Sequence, residues 1–399
     1  MVDQLAAAGA FPIVEIRGHE LAGAARSVQP AAIILADPAP ADMVAGALDC
    51  TGQPYVPVIA RVAGHALAAF AGALPVDVDA PAAVLVARLR SALRIRTLHA
   101  SVLRRIAAIR EHGGSLPDMP NADPLDDATV IVAGRGRAYP ALTLAIGERV
   151  GLIGALSLEA AAGLLKARDI DGIVIGDGFN QRIVEAFLAD LGNDARFRDL
   201  PIGVLYDVGA DIEPERLPNL DRHMGDPKRI ADRVLPLVRI HAFAARLRRM
   251  ATSLDQKGVV DPNTGLRTRE AFMRDLKRAI SDAGDRGDGL AVARFSLASL
   301  NDYRASLDAG RIVARLVRTA DFACRDLDGT ILVALTATDL GAAHVAARRI
   351  ASVLKHTTLA PGCDRGTLDP TVAIAALKSR DTIDTLIARI APDGMVAAG

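Results

Sequence analysis

Arg318 and Asp321 stand three residues apart at the end of the stretch Ser306–Val317. If that stretch is helical through Arg318, both side chains present to one side at the helix end. Two chemistries fit such a pair. As a solvent-facing ion pair at this spacing it adds only about 0.3 kcal/mol. Held apart, the guanidinium is a planar fork of parallel donors and the carboxylate is an acceptor, and binding through them needs no metal. A few residues on, Arg325 precedes Leu327-Asp328-Gly329, which separates the apolar runs FACRD and TILVALTA. An Asp-Gly step between two such runs is a hairpin signal. Upstream, Asp261-Pro262-Asn263-Thr264-Gly265 has the composition of a turn. Asp37 closes an apolar run immediately before Pro38, the place of a strand-end aspartate beside a turn. Cys50, Cys324 and Cys363 lie far apart, and with eight scattered histidines they form no metal-binding spacing.

The elements that must position these residues fall into three blocks. A chain of 399 residues is too long for one ordinary core and suits two or three domains. The 47 basic and 47 acidic side chains cancel, which gives no support to a general nucleic-acid binder. No apolar stretch reaches the length of a membrane span, and Asp3 with no basic residue before it argues against a secretory leader. A reducing cytoplasm is the expectation. Residues 1–113 carry the short apolar runs FPIVEI, AAIILAD, YVPVIARV and ALPVDV, expected as buried parallel strands, and then a long amphipathic helix. A linker at 114–127 holds Pro117, Pro120 and Pro124. Residues 128–257 alternate five strands with helices, the doubly wound flavodoxin-like pattern, and end in a stalk helix. Residues 258–399 read as a mixed α/β domain. Apolar stripes at Val84–Arg104 and Ile230–Leu247 are longer than a lone domain needs, so they are expected either to pair two copies or to pack within the chain.

The last block resembles the GGDEF (diguanylate cyclase) family. The stretch from Asp261 to Phe272 sits on the family's opening D-x-L-T-G-L-x-N-R-R-x-F, with departures at Asn263, Thr268 and Glu270. Arg318, Asp321, Arg325 and the hairpin Leu327–Ile331 stand at the spacing of the family's R-x-x-D and R-x-G-G-[DE]-E-F. The whole chain resembles the receiver–receiver–GGDEF architecture of PleD-type proteins, so the fold expected is α/β: two flavodoxin-like (CheY-like) receiver-type domains followed by a GGDEF-type mixed α/β domain. In the first receiver-like block Asp37 falls at the phosphoacceptor position, as a vestige, and Val76 replaces the lysine. The first strand has no counterpart, so either it is lost or the true start lies upstream. In the second block Gly176 stands at the acceptor position with Asp177 one place late, Gly134 and Arg135 replace the acidic pair, and Asp226 stands where lysine belongs.

The resemblance implies loss of catalysis. Ser296 and Thr330 occupy the family's two metal-carboxylate positions, and Leu327 and Asp328 fill its two glycines. Without carboxylates there is no hard oxygen cage for Mg²⁺. No metal and no enzymatic activity are therefore expected. Arg318 and Asp321, by contrast, match the family's product-inhibition site for cyclic di-GMP. Counting through the hairpin places Arg349 at the arginine that closes the site, with Arg348 beside it. An arginine fork suits the O6/N7 edge of guanine, and an aspartate accepts from its N1–H and N2–H₂. The resemblance thus implies a cyclic di-GMP effector, homodimeric, free of DNA and membrane insertion, cytoplasmic and at the cell pole. It would work with protein adaptor partners of a regulated proteolysis pathway. The alternatives are a nucleotide-independent scaffold and a residual cyclase.

Overall fold

The computed structural model describes residues 2–7, 14–17, 20–35, 41–49, 55–62, 72–111, 122–206, 212–222, 226–255, 259–286, 289–297, 303–318, 320–355 and 370–391. Continuous apolar runs become strands covered on both faces, and the charged, alanine-rich segments between them become the covering helices. The first block contains α1 (Val2–Ala7), α2 (Leu21–Val28), β1 (Ile33–Leu35), α3 (Ala41–Asp49), β2 (Val58–Val62), β3 (Leu74–Asp77) and α4 (Ala82–Glu111). Its three strands are parallel, in the order β1-β2-β3. Of the run FPIVEI, expected as a strand, only 14–16 is described; that part forms no strand, and Val14 and Ile16 lie exposed.

The second block holds β4 (Thr129–Ala133), α5 (Tyr139–Gly147), β5 (Gly151–Ala155), α6 (Leu158–Ala167), β6 (Gly172–Ile175), α7 (Gln181–Asn193), β7 (Ile202–Val204), β8 (Leu220–Arg222) and α8 (Pro227–Asp255). Its five parallel strands run in the order β5-β4-β6-β7-β8. Numbered within the block this is 2-1-3-4-5, the flavodoxin-like order. Ile131 and Ala133 of β4 face the core shared with α6 and α7, while Val130 and Val132 face α5 and α8.

The third block contains α9 (Arg269–Arg286), β9 (Leu290–Leu297), α10 (Tyr303–Leu316), β10 (Phe322–Arg325), β11 (Ile331–Thr336), α11 (Leu340–Lys355), β12 (Pro370–Ala376) and α12 (Ile383–Ala388). The sheet is antiparallel throughout, in the order β10-β11-β9-β12, so β9 through β12 form a ferredoxin-like βαββαβ core. One face of β9 (Ala291, Ala293, Phe295, Leu297) packs toward α10 and α11, and Leu290 and Val292 pack toward α9.

The chain divides into two compact units. One comprises Met1–Ala108, Asp123–Lys166 and Ile170–Leu247, and so holds both parallel-sheet blocks. The other comprises Ile109–Ala122, Ala167–Asp169 and Arg248–Gly399.

Inside the first unit the two blocks are joined in a near-reciprocal way. Arg88 and Arg233 are each the seventh residue of their helix, and both are 1% exposed. Arg88 of α4 donates to the Pro218 and Leu220 carbonyls of the second block at 3.1 and 3.2 Å, and to Pro75 of its own. Arg233 of α8 reaches back to both oxygens of Asp77 at 2.7 and 3.1 Å and pairs with Asp221. Burial opposes charge on Arg233, but the hydrogen bonds and charges of Asp221 and Asp77 outweigh it and raise its pKa. The sequence records this symmetry: Arg88-Leu89 and Arg94-Ile95 are echoed at Arg233-Val234 and Arg239-Ile240. Exchange of equivalent contacts is the signature of an isologous interface. Here it is built within one chain. Of the two expectations for the stripes, pairing of copies or packing within the chain, the described residues follow the second: Leu85, Leu89, Ala92 and Ile95 on α4, and Ile230, Val234, Leu237 and Val238 on α8, are buried inside the unit. With those faces covered, pairing of two copies needs another surface.

Further along α4, His99 is 6% exposed. Its Nδ1 accepts the Tyr55 N–H at 2.9 Å, and its ring meets the edge of Phe243. Burial lowers the His99 pKa, and an accepting Nδ1 requires the neutral ring. The unfolded chain therefore binds this proton more tightly than the folded one, so the contribution of His99 is fully present above the ordinary histidine pKa and is lost as pH falls through the depressed one. Melting temperature is expected to drop between about pH 7.5 and about pH 5, and His99→Gln should flatten that part of the profile. Calorimetry across the range checks it, and identical profiles for the two proteins would refute it.

Candidate functional site

Helix α10 stops at Leu316, because the Val317 N–H closes its last turn on Val313, and the chain then leaves the helix. Arg318 is thus outside the helix, so the condition for a shared helical face with Asp321 is not met. A tight turn follows, in which the Asp321 N–H donates to the Arg318 carbonyl at 3.0 Å. Arg318 is exposed, and no ion pair joins it to Asp321 among the described residues. Asp321 turns inward instead. Its Oδ1 accepts the Thr336 N–H at 2.9 Å and the Thr336 hydroxyl lies 3.3 Å from it, which ties the start of β10 to the end of β11. From α11, Arg349 donates to the Leu316 carbonyl at 3.3 Å, a cation at a helix C-terminus.

These three side chains border one small pocket of about 100 Å³. Its floor is apolar, formed by Leu316, Val317, Leu335, Ala346 and Ile350, and Ala337 and Thr338 form part of its wall. Ala337 has φ +46°, a left-handed conformation that costs a non-glycine residue about 1 kcal/mol. Arg348 is exposed on α11 and does not border the pocket. Sequence reasoning found Arg318, Asp321 and Arg349 but not Thr336, since a threonine ending an apolar strand carries no mark of its bond to Asp321.

The hairpin between β10 and β11 is closed by the Gly329 N–H on the Asp326 carbonyl at 3.0 Å, with Gly329 at φ +81°. Leu327 at its tip is 93% exposed. Asp328 turns back. Its Oδ2 pairs with Arg294 of β9 at 2.6 Å, and its Oδ1 accepts the Thr330 hydroxyl at 2.6 Å and the Thr330 N–H at 3.0 Å. Burial works against the Asp328 charge, but the Thr330 hydrogen bonds and the Arg294 charge hold its pKa below the usual carboxylate range. Arg325 donates to the buried Ser306 of α10, and Ser306 donates to the Gly329 carbonyl at 3.2 Å. The hairpin is therefore fixed from two sides. Arg294, the one charged residue in LAVARFSL, was the visible signal for this bond.

No family model matches the chain, and no curated protein does. Solved structures do match. The coiled coil and GGDEF domain of DgcB from Caulobacter crescentus, in complex with c-di-GMP, is 16% identical over 36% of this chain and 83% of its own, with a TM-score of 0.33. A sensory box/GGDEF family protein from Caulobacter crescentus is 22% identical over 33% of this chain and 92% of its own, at 0.30. The FimX GGDEF domain from Pseudomonas aeruginosa is 14% identical over 33% and 88%, also at 0.30. All three contain GGDEF domains. Ligand and activity are argued from the residues of this chain.

The GGDEF resemblance implies a divalent cation, and the residues here do not fit one. The register pairs Ile331 with Phe295, which sets Thr330 opposite Ser296, so the two expected metal positions are neighbours. Both are neutral hydroxyls. The nearby carboxylate, Asp328, is already bonded to Arg294 and Thr330. No group of three or more His, Cys, Asp or Glu side chains suited to a metal occurs among the described residues.

The receiver-type positions are also occupied structurally. Asp177 accepts the Ala138 N–H at 3.0 Å at the start of α5, and its carbonyl accepts from Arg135 and Gly136. A Cβ on Gly136 would lie 2.3–2.5 Å from the Asp177 carboxylate, so a side chain there would displace that carboxylate from Ala138. Val76 is buried in β3, and Asp226 caps α8 through the Lys228 N–H at 3.0 Å. Asp37, Cys50 and Cys363 lie outside the described residues. Cys324 is buried, and burial raises its thiol pKa. No helix among the described residues is long and apolar enough to cross a membrane.

Proposed function

We propose that this chain is a cyclic di-GMP effector that makes no cyclic di-GMP itself. The observation that carries the reading is the convergence of Arg318, Asp321 and Arg349 on one pocket, with Arg318 exposed and not ion-paired to Asp321. A guanidinium left outside the fold's own hydrogen bonds keeps its parallel donors for a guanine edge. The apolar floor suits the face of a planar base. Asp321 keeps its Oδ2 for the guanine donors while Oδ1 holds Thr336. The chain resembles PleD-type receiver–receiver–GGDEF proteins and, among them, PopA. That resemblance supports a role as an adaptor at the cell pole, bringing partners into regulated proteolysis during the cell cycle.

Incubation with GTP and Mg²⁺ or Mn²⁺ is expected to yield no cyclic di-GMP by HPLC, while isothermal titration with cyclic di-GMP gives saturable binding. Product from the unmodified protein would overturn the first half, and absence of binding the second. Thr330→Glu alone is expected not to restore turnover. Ser296 and Leu327 remain, and a buried carboxylate at position 330 would stand beside Asp328 with one cation, Arg294, between them.

A further inference from the structure

A second, separate cleft lies within the parallel-sheet unit. It is an open cleft of about 380 Å³, bordered by Arg90 and Arg94 of α4 on one side and by Arg198, Glu215 and Arg216 of the second block on the other. Four guanidinium groups and one carboxylate line it, and Asp199 and Glu213 behind them pair with Arg94 and Arg216, which leaves one cation in excess. Their internal partners are uneven. Arg94 is held by both oxygens of Asp199. Arg90 stands 3.8 Å from Glu215, with both side chains half exposed. Arg216 donates to Asn193 at 2.8 Å and lies 3.4 Å from Glu213, itself mostly exposed. Arg198 is exposed and has no ion-pair partner among the described residues.

The frame behind these cations is rigid. Ser91 donates to Asp199 at 2.8 Å, and the buried Asn219 donates to the Asp199 carbonyl at 2.8 Å and to the Ser91 hydroxyl at 3.3 Å. Arg88 fixes α4 to the carbonyls on either side of Asn219. A site whose walls are set before binding loses little entropy on binding. Its other lining residues include Ala87, Gly192 and Ala195, with no aromatic or large apolar side chain. A peptide would find no anchor pocket there, and a base no ring to stack on. An anion reaching both walls would answer the excess of forked donors.

We propose that this cleft binds a small phosphorylated anion carrying two adjacent phosphate groups, recognised through those phosphates. Such a ligand would bridge the first block to the second and tighten their junction.

Sodium pyrophosphate is the probe, titrated calorimetrically into the full chain at constant ionic strength set with sodium chloride. Saturable one-site binding is expected, retained in Arg318→Ala and weakened at least about tenfold in Arg90→Glu/Arg198→Glu, since each charge-assisted hydrogen bond removed is worth about that factor. Arg198→Gln alone should weaken it less, and it serves as the second variant should the double reversal disturb folding. Retention in Arg318→Ala separates this site from the cyclic di-GMP pocket. Absence of saturable pyrophosphate binding, equal affinity in wild type and Arg198→Gln, or saturable binding of an acidic peptide in its place would overturn the proposal.

Discussion

Arg318→Ala is expected to weaken cyclic di-GMP binding by at least about tenfold, because two charge-assisted hydrogen bonds to a guanine edge disappear and each is worth about 1.5–3 kcal/mol. Arg318→Lys should be nearly as damaging, since an ammonium offers a point charge where a planar fork is wanted. Neither change should move the melting temperature of the free protein, because Arg318 is exposed and forms no ion pair with Asp321. Melts of wild type and variant should therefore coincide without ligand and separate when cyclic di-GMP is added. Asp321 differs. Its bond to the Thr336 N–H joins β10 to β11, so Asp321→Asn should lower the melting temperature even without ligand. Equal dissociation constants for wild type and Arg318→Ala would remove the main support for the effector reading.

Arg233→Ala should destabilise the parallel-sheet unit by about 3–5 kcal/mol, the range for breaking a buried ion pair on one side. The reason is what remains: Asp221, whose side chain is 7% exposed, would keep a charge with its main partner gone. Asp77, at 42%, can return to water and adds less. A loss of this size corresponds to a melting temperature lower by on the order of 10 °C. Arg233→Met combined with Asp221→Leu should recover much of it, since replacing a buried pair by apolar groups of similar volume is often neutral. Chemical denaturation of the three proteins tests both statements. A loss below about 1 kcal/mol for Arg233→Ala would mean that the cluster is solvated and contributes like a surface pair.

The sequence by itself determined the order of elements and the cores beneath them. Runs such as TVIVA and LAVARFSL can be buried on both faces, so they specify central strands wherever they are placed. Arg318, Asp321 and Arg349 were named through the GGDEF resemblance, and the fold brings all three to the border of one pocket. That 14–16 of FPIVEI forms no strand was not legible, since an apolar run carries no mark of whether it pairs. The end of α10 was legible to within a residue, Val317 against Leu316, but the turn that carries Asp321 toward Thr336 was not. The partners of Arg88 and Arg233 were hidden for a further reason. An arginine in an amphipathic helix reads as a solvated face, and only the meeting of α4 with β8, and of α8 with β3, puts carbonyls and carboxylates 130 or more residues away around it. Local sequence encodes periodicity, whereas the charge state of a buried side chain depends on desolvation and on partners that arrive from other blocks. Tertiary structure alone decided those.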